Sequence, residues 1–395
     1  MKPTSPTVIL VLSYLTYLLI GMFTAGIGPV LGELAQQTAA SLSAIGGVLT
    51  FLFLGSVIAQ VVAGPLTDRL GRKPILVVSL VILCAGIIGF TYAQALPVML
   101  LLALIAGLGQ GGVDMGANLV VADAAPGNNT SALNLLHFFF GLGAFIGPAL
   151  IGLAIALAGS GLLVHRSVAG LFLLLALANA ALLRGDRKPK SAQPGQVTSS
   201  GLKVYLSPLL WLMGGLMLVY VGVEFGLGSW ISAYMNVSAR LNAQHGAWIT
   251  AAYWAALALG RLVGAAASSR LTRVRLLTAA LGGSLLGSLG LLASHGTVVP
   301  TILCLVWIAF SYGTVYPTTV ALATAAFTAS RGKAVSLLVA MGSIGAATLP
   351  LFAGRLLEGR TSLGYPWFVA LSLAASLIIL AAIIRTMGRK QHSDA

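Results

Sequence analysis

Twelve stretches of this chain are each long and apolar enough to cross a lipid bilayer, and that property leaves few folds open. The runs lie near residues 8–30, 42–66, 75–94, 97–122, 131–159, 165–183, 207–235, 244–268, 275–294, 298–327, 332–357 and 363–385. A helix rises about 1.5 Å per residue, so about 20 apolar residues span a hydrocarbon core of about 30 Å. Hydrocarbon offers the backbone no hydrogen-bond partner, and a helix closes all of its bonds within itself. Of the 395 residues, 58% are hydrophobic and 8% charged, against about a quarter charged in soluble domains. Most runs have no polar face, which excludes a large soluble helical protein. The first run, Val8 to Val30, lacks an Ala-x-Ala cleavage site and reads as a span rather than a removed signal. Cys84 and Cys304 sit inside runs in opposite halves and are expected as free thiols.

The net charge is +14, and its distribution decides what it means. With the N-terminus inside, seventeen of the 22 Lys and Arg residues fall in cytoplasmic segments, clustered around Lys73, Lys188, Arg273, Lys333 and Arg389. Arg166, Arg240, Arg355 and Arg360 fall on the other side, and Arg261 lies within a run. Cationic loops are retained in the cytoplasm, so both termini are expected there, in a multi-pass cell (inner) membrane protein. The basic residues form no separate domain, so no nucleic-acid partner is expected; the partners expected are a small-molecule substrate and the lipid bilayer, and the chain is expected to be a monomer.

A charged hairpin, Gly64-Pro-Leu-Thr-Asp-Arg-Leu-Gly-Arg-Lys-Pro74, joins the second and third runs, and a worn copy, Ser269-Arg-Leu-Thr-Arg273, joins the eighth and ninth. Leu135-Leu136, Gly143, Pro148 and Gly152 recur as Leu337-Leu338, Gly345, Pro350 and Gly354 at one offset. The chain is thus read as a duplication: residues 1–183, a polar linker at 184–206, and residues 207–395. The fold class expected is an all-α membrane protein with twelve transmembrane helices in two parallel six-helix repeats. Such repeats place a substrate site at their interface near the membrane midplane. Gly107/Gly111, Gly112/Gly116 and Gly143/Gly147 have the four-residue spacing that lets helix backbones approach closely.

Three full charges fall within runs: Asp114, Glu224 and Arg261. A carboxylate at a helix centre costs about 2.5–3.5 kcal/mol to insert, so such groups point to function. Asp114 and Glu224 are the candidate cation-coupling residues. Gln110, Asp114 and Asn118 form one polar stripe on the fourth run, and Asn134 and His137 reach a similar depth on the fifth. Asp114 and His137 are expected to form a buried carboxylate–imidazole pair. Glu224 stands among Gly222, Gly226 and Gly228, so the seventh helix is expected to bend or break there and free carbonyls for a ligand. Arg261 is read as a snorkelling structural cation or a latch partner. Gln110, Asn118, Asn134, His137, Tyr220, Trp230, Trp254, Tyr312 and Tyr316 are the candidate substrate-lining residues, the aromatic ones because rings stack on sugars. The sequence has no phosphate-binding Gly-x-x-x-x-Gly-Lys-Ser/Thr loop, no nucleophile–base motif and no metal-ligand spacing, so neither enzyme chemistry, catalytic residues, a metal nor a bound cofactor is expected beyond a coupling H+ or Na+.

Hairpin and repeat together resemble the major facilitator superfamily, whose loop between the second and third spans reads Gly-x-x-x-Asp-Arg-x-Gly-Arg-Arg/Lys. Gly64, Asp68, Arg69, Gly71, Arg72 and Lys73 meet that pattern in full. The resemblance implies an alternating-access carrier with a cavity lined mainly by spans 1, 4, 7 and 10. It makes the hairpin a conformational latch, with Arg72 pairing Asp123 at the end of the fourth span. A narrower likeness to the fucose–galactose–proton symporter branch lies in Gly107–Asn118, Leu133–His137, Gly141–Pro148 and Tyr220–Trp230. Members of that branch carry an acid in the first span; here Glu33 falls just beyond the end of the first run. The function expected is secondary active symport of a small polar solute, a sugar first, with H+ or Na+. A drug/H+ antiporter of the same fold is the alternative, and an intramembrane enzyme or lipid-handling protein a third reading.

Overall fold

The computed structural model describes residues 5–124, 129–182, 203–358 and 362–393, and among these it contains helices and turns but no strand. Fourteen α-helices are present: α1 (Pro6–Thr38), α2 (Leu42–Ile45), α3 (Gly47–Leu70), α4 (Arg72–Tyr92), α5 (Leu96–Ala124), α6 (Asn129–Ala158), α7 (Leu162–Leu182), α8 (Pro208–Ala239), α9 (Ala243–Ala267), α10 (Arg273–Ala293), α11 (Val298–Tyr312), α12 (Val315–Ala326), α13 (Arg331–Leu357) and α14 (Gly364–Ser393). They supply twelve membrane-length spans, with α2 leading into α3 in the second and α11 and α12 together making the tenth. Most of the linker expected at 184–206 lies outside the described residues; its last four, Lys203–Leu206, form a short 3₁₀ turn.

The chain divides into two compact units, Met1–Pro194 with Asn242–Ala251 and Gly195–Leu241 with Ala252–Ala395. In the first, α1 packs on α6, α3 and α4 on α5, and α4 on α7. In the second, α8 packs on α13 and α14, and α10 on α11 and α14.

Local chemistry sets the helix ends. Ser5 and Ser207 precede helices that start on Pro6 and Pro208, where a missing N–H is harmless. A single residue, Gly71, links α3 to α4 with φ 90°. A side chain is strained at that φ, which explains the glycine in the hairpin motif. The second-half copy is built differently: Thr272 caps α10 by accepting the Arg275 N–H at 3.3 Å, and the Ser269 hydroxyl donates to the Ala266 carbonyl at 2.8 Å.

Glycines allow the helices to touch backbone to backbone. A methyl group at Gly143 would fall on the Leu18 carbonyl oxygen, and one at Gly147 on that of Met22, so α6 lies directly against α1. Gly345 of α13 meets the Leu218 carbonyl of α8 in the same way, so the repeated glycine makes the repeated contact. Gly107 and Gly111 meet the Leu52 and Ser56 carbonyls of α3, and Gly260 meets that of Phe310. Among lipid tails, which are as apolar as leucine, such close packing is what drives helix association.

Two expectations about helix shape are corrected. α8 runs unbroken through Glu224; Gly222, Gly226 and Gly228 instead receive the side chains of Leu349, Phe368 and Trp254. The interruption falls in the tenth span, at Gly313–Thr314 between α11 and α12. Pro317 has no N–H to give the Gly313 carbonyl, and its ring crowds that oxygen, which weakens the helix at this turn. Glu33 is not beyond the first helix either: α1 extends to Thr38.

The two kinds of glycine separate in a stability measurement. Gly345→Ala should lower the unfolding free energy by roughly 1–3 kcal/mol through overpacking. Gly282→Ala, where the added methyl meets nothing within 4 Å, should leave the thermal midpoint in detergent unchanged or slightly raised.

Candidate functional site

Among the described residues, each unit carries a polar cluster built on a carboxylate within its spans. In the second unit the cluster is built on Glu224, half-way along α8 and 4% exposed. Arg261 of α9 reaches it with a 2.7 Å bond from Nη2 to Oε1. Arg261 is therefore not a snorkelling cation: it is the counter-ion of Glu224. Its side chain is 32% exposed, so the pair is sealed on the carboxylate side and open on the guanidinium side. The Tyr253 hydroxyl donates to the Glu224 main-chain carbonyl at 3.0 Å and ties α9 to α8 one step from the pair.

Aromatic residues wall this ion pair. Tyr220 lies one turn before Glu224 on the same face of α8 and sits beside both charged groups. Its ring centroid is 4.5 Å from that of Tyr312 and 6.1 Å from that of Tyr316. The break at Gly313–Thr314 thus falls between two tyrosines that approach Tyr220. The Trp254 indole N–H is buried without a hydrogen-bond partner. The buried hydroxyls of Tyr220 and Tyr312 make no bond of ordinary geometry, yet Tyr220 lies beside Glu224 and Arg261 and Tyr312 beside Ser376. Buried polar atoms are almost always paired, and leaving one unpaired costs about 1–3 kcal/mol. Hydroxyls that an ion pair engages only loosely are what a site for a hydrogen-bonding ligand needs. Trp230 has no such free atom. Its indole donates to the Pro350 carbonyl at 2.7 Å and its ring covers Gly354, so it holds α8 to α13.

In the first unit Gln110, Asp114 and Asn118 lie along one face of α5. Gln110 is 5% exposed and its Oε1 has no partner; Asp114 and Asn118 are half-buried. Asn118 Nδ2 donates to the Asp114 main-chain carbonyl at 2.7 Å and also to the Tyr17 hydroxyl. That hydroxyl donates in turn to the same carbonyl at 3.3 Å. Tyr17 of α1, absent from the sequence reading, is thus the hub of this cluster. His137 is exposed and presents its ring edge-on to Tyr17 at 5.6 Å, so the imidazole expected beside Asp114 is not buried. The side chain of Asn134 lies outside the described residues, as do those of Asp68, Arg69 and Asp123, on which the latch expectation rests together with Gly64 and the half-buried Arg72 and Lys73.

Glu33 has a structural task. Its carboxylate accepts from the Ser160 hydroxyl, from the Gly161 N–H at 2.9 Å and from the Leu162 N–H at 3.4 Å, capping α7 from another helix. Cys84 and Cys304 are free thiols, and the described residues hold no group of three or more metal-ligating side chains.

The family model of the Major Facilitator Superfamily matches residues 13–325 and again 240–394. The chain belongs to that superfamily. Among known proteins, this major facilitator is similar to sodium-dependent glucose transporter 1A of Mus musculus, at 24% identity over 63% of this chain and 66% of that protein. It therefore spans just under two thirds of that relative. The sodium-dependent glucose transporter 1 of Xenopus laevis is 22% identical over 95% of this chain and 81% of its own length. The fold matches the nucleoside transporter NupG in its D323A form, with a TM-score of 0.79 at 13% identity over 96% and 99% of the two chains. It also matches a D-xylose-proton symporter, with a TM-score of 0.74 at 17% identity over 94% and 97%. The protein is a multi-pass membrane protein of this superfamily, and the relatives and fold neighbours named here are transporters.

A double-mutant cycle on Glu224→Gln and Arg261→Gln tests the ion pair. Each single change strands the other member and should destabilise the protein. The double change should cost less than the sum, with a coupling of about 1–3 kcal/mol, kept below the fully buried range because Arg261 is partly exposed. Thermal midpoints of the four purified variants give the value.

Proposed function

We propose that this major facilitator is a cation-coupled symporter of a small hydroxylated solute, with a sugar as the first candidate and H+ or Na+ as the coupling ion. The observation that carries this reading is the Glu224–Arg261 pair with the loosely engaged, buried hydroxyls of Tyr220 and Tyr312 beside it. A solute with several hydroxyl groups satisfies such atoms and stacks on the rings around them; a lipophilic cation would leave them loosely engaged. Names among the relatives and fold neighbours, glucose with sodium and D-xylose with a proton, are consistent with this chemistry.

In the proposed cycle Glu224 and Asp114 are the coupling carboxylates. Enclosing an unpaired carboxylate in hydrocarbon costs about 2.5–3.5 kcal/mol or more. Glu224 avoids the cost while Arg261 holds it, and a bound cation serves when Arg261 turns to the substrate. Asp114 has no arginine at hand among the described side chains and depends on hydrogen-bond donors and a bound cation. Movement is then favourable when substrate and cation are both present or both absent, which is the condition for symport. Gln110, Asn118, Asn134, His137, Tyr220, Trp254, Tyr312 and Tyr316 are the proposed substrate contacts. The Gly64–Lys73 hairpin with Asp123 is the proposed latch. The proposed setting is the cell membrane with both termini in the cytoplasm and a monomer as the working unit.

Counterflow in proteoliposomes with a panel of labelled hexoses and pentoses, with and without a pH or Na+ gradient, tests the proposal. One sugar should exchange without a gradient and accumulate with one of the two gradients. Asp114→Asn and Glu224→Gln should each abolish accumulation. Full cation-driven accumulation in both variants would overturn the coupling assignment, and no exchange of any sugar by folded protein would overturn the substrate class.

A further inference from the structure

Tyr17 is 3% exposed, lies on α1, and touches both polar residues of α5 that flank its hydroxyl. The hydroxyl accepts from Asn118 Nδ2 and donates to the Asp114 carbonyl oxygen at 3.3 Å. The Asp114 carboxylate lies close enough to the hydroxyl to interact with it, so a small turn of either side chain exchanges one acceptor for the other. A phenol has one proton and cannot give it to both acceptors at once. The main-chain carbonyl does not need it, because Asn118 Nδ2 already donates there at 2.7 Å. The carboxylate needs a donor only while it is ionised, and a bond to an ionised acceptor is roughly twice as strong as a neutral one.

We infer that Tyr17 is a positioning residue for the coupling carboxylate: its hydroxyl proton turns to the Asp114 side chain when that group is charged and to the main-chain carbonyl when a cation occupies it. The inference rests on the reading of Asp114 as a coupling residue. Its consequence is that α1 competes with the cation for Asp114, so that occupancy of the carboxylate changes the bond between α1 and α5. Asn118 keeps the phenol in place by holding its oxygen whichever way the proton points. His137 of α6, edge-on to the Tyr17 ring, is the titratable group that faces this bond from α6. The glycines of α5 meet the backbone of Leu52 and Ser56 on α3 and the side chains of Leu76, Ser79 and Leu83 on α4, none of them titratable.

Carbodiimide modification of Asp114, read by peptide mass spectrometry on the full protein in proteoliposomes, reports carboxylate occupancy without any need for the substrate. Protonation promotes the labelling and bound Na+ protects against it, so separate titrations with H+ and with Na+ cover both ions. Removing the competing donor in Tyr17→Phe should lower the cation concentration at half effect about tenfold, the scale expected for one charge-assisted hydrogen bond. Replacing Tyr17 with 3-fluorotyrosine, a stronger donor of nearly the same shape, should raise it. An unchanged midpoint in both variants would overturn the inference, and the fluorinated residue carries the test if Tyr17→Phe fails to fold. Asp114→Asn separates the two levels: gradient-driven accumulation that survives in it removes the reading of Asp114, and the inference with it. Lost accumulation with unmoved Tyr17 midpoints removes the inference alone.

Discussion

Hydrocarbon supplies no hydrogen bonds and tolerates charge poorly, and nearly every feature of this molecule follows from that constraint. Backbone groups must be satisfied along the chain, so the spans are helices, and the helices must be held together by close packing rather than by expulsion of water. Glycine at the contact faces makes this possible, with Gly143 on Leu18 in one unit and Gly345 on Leu218 in the other. The same medium makes the few polar groups within the spans conspicuous. Glu224 is tolerated because Arg261 meets it at 2.7 Å, and the Asp114 carbonyl, Asn118 and Tyr17 satisfy one another.

Transport chemistry grows out of the places where satisfaction is incomplete. A fully paired polar network is inert, but Trp254 and Gln110 keep buried polar atoms free, and the hydroxyls of Tyr220 and Tyr312 are only loosely engaged. This incomplete pairing stores the affinity that a hydroxylated solute can release. The tenth span adds a weak point at Gly313–Thr314, placed by Pro317 between the tyrosines that approach Tyr220. A helix that is already interrupted there can adjust the tyrosine wall without breaking further backbone bonds. The proposed symport ties movement to charge: the carboxylates are acceptable in the membrane interior only when a cation, internal or external, or a set of hydrogen-bond donors accompanies them.

Local sequence carried much of the fold because spans are local objects. Apolar run length gave the twelve helices to within several residues, and the motif glycine at position 71 proved to sit at φ 90°. The repeat Gly143/Gly345 also pointed to the right contacts, since close approach leaves a spacing signature. Pairings between distant spans left no such mark. Arg261 lies 37 positions from Glu224, and nothing in Leu-Gly-Arg-Leu says whether it snorkels or turns inward. Tyr17 was hidden because an aromatic residue in an apolar run is usually packing. Glycines around Glu224 were misread as a hinge when they are sockets for Leu349, Phe368 and Trp254. The true interruption was legible in Gly313-Thr-Val-Tyr-Pro317, where proline forbids the fourth-residue bond. Glu33 was misjudged because α1 runs on to Thr38, past the end of its apolar run.

The central claim is that cation and solute move together because bound solute draws the protein's own partners away from the buried carboxylates, which must then be discharged by a cation before the protein can change state. Simultaneous measurement of solute and cation flux in one proteoliposome preparation tests it most directly. Labelled sugar supplied to wild-type protein should draw H+ or Na+ into the vesicles in a fixed ratio to the sugar, even with no initial cation gradient. Sugar entering with no accompanying cation, under both ions, would contradict the account and make the protein a facilitator whose carboxylates serve binding and stability only.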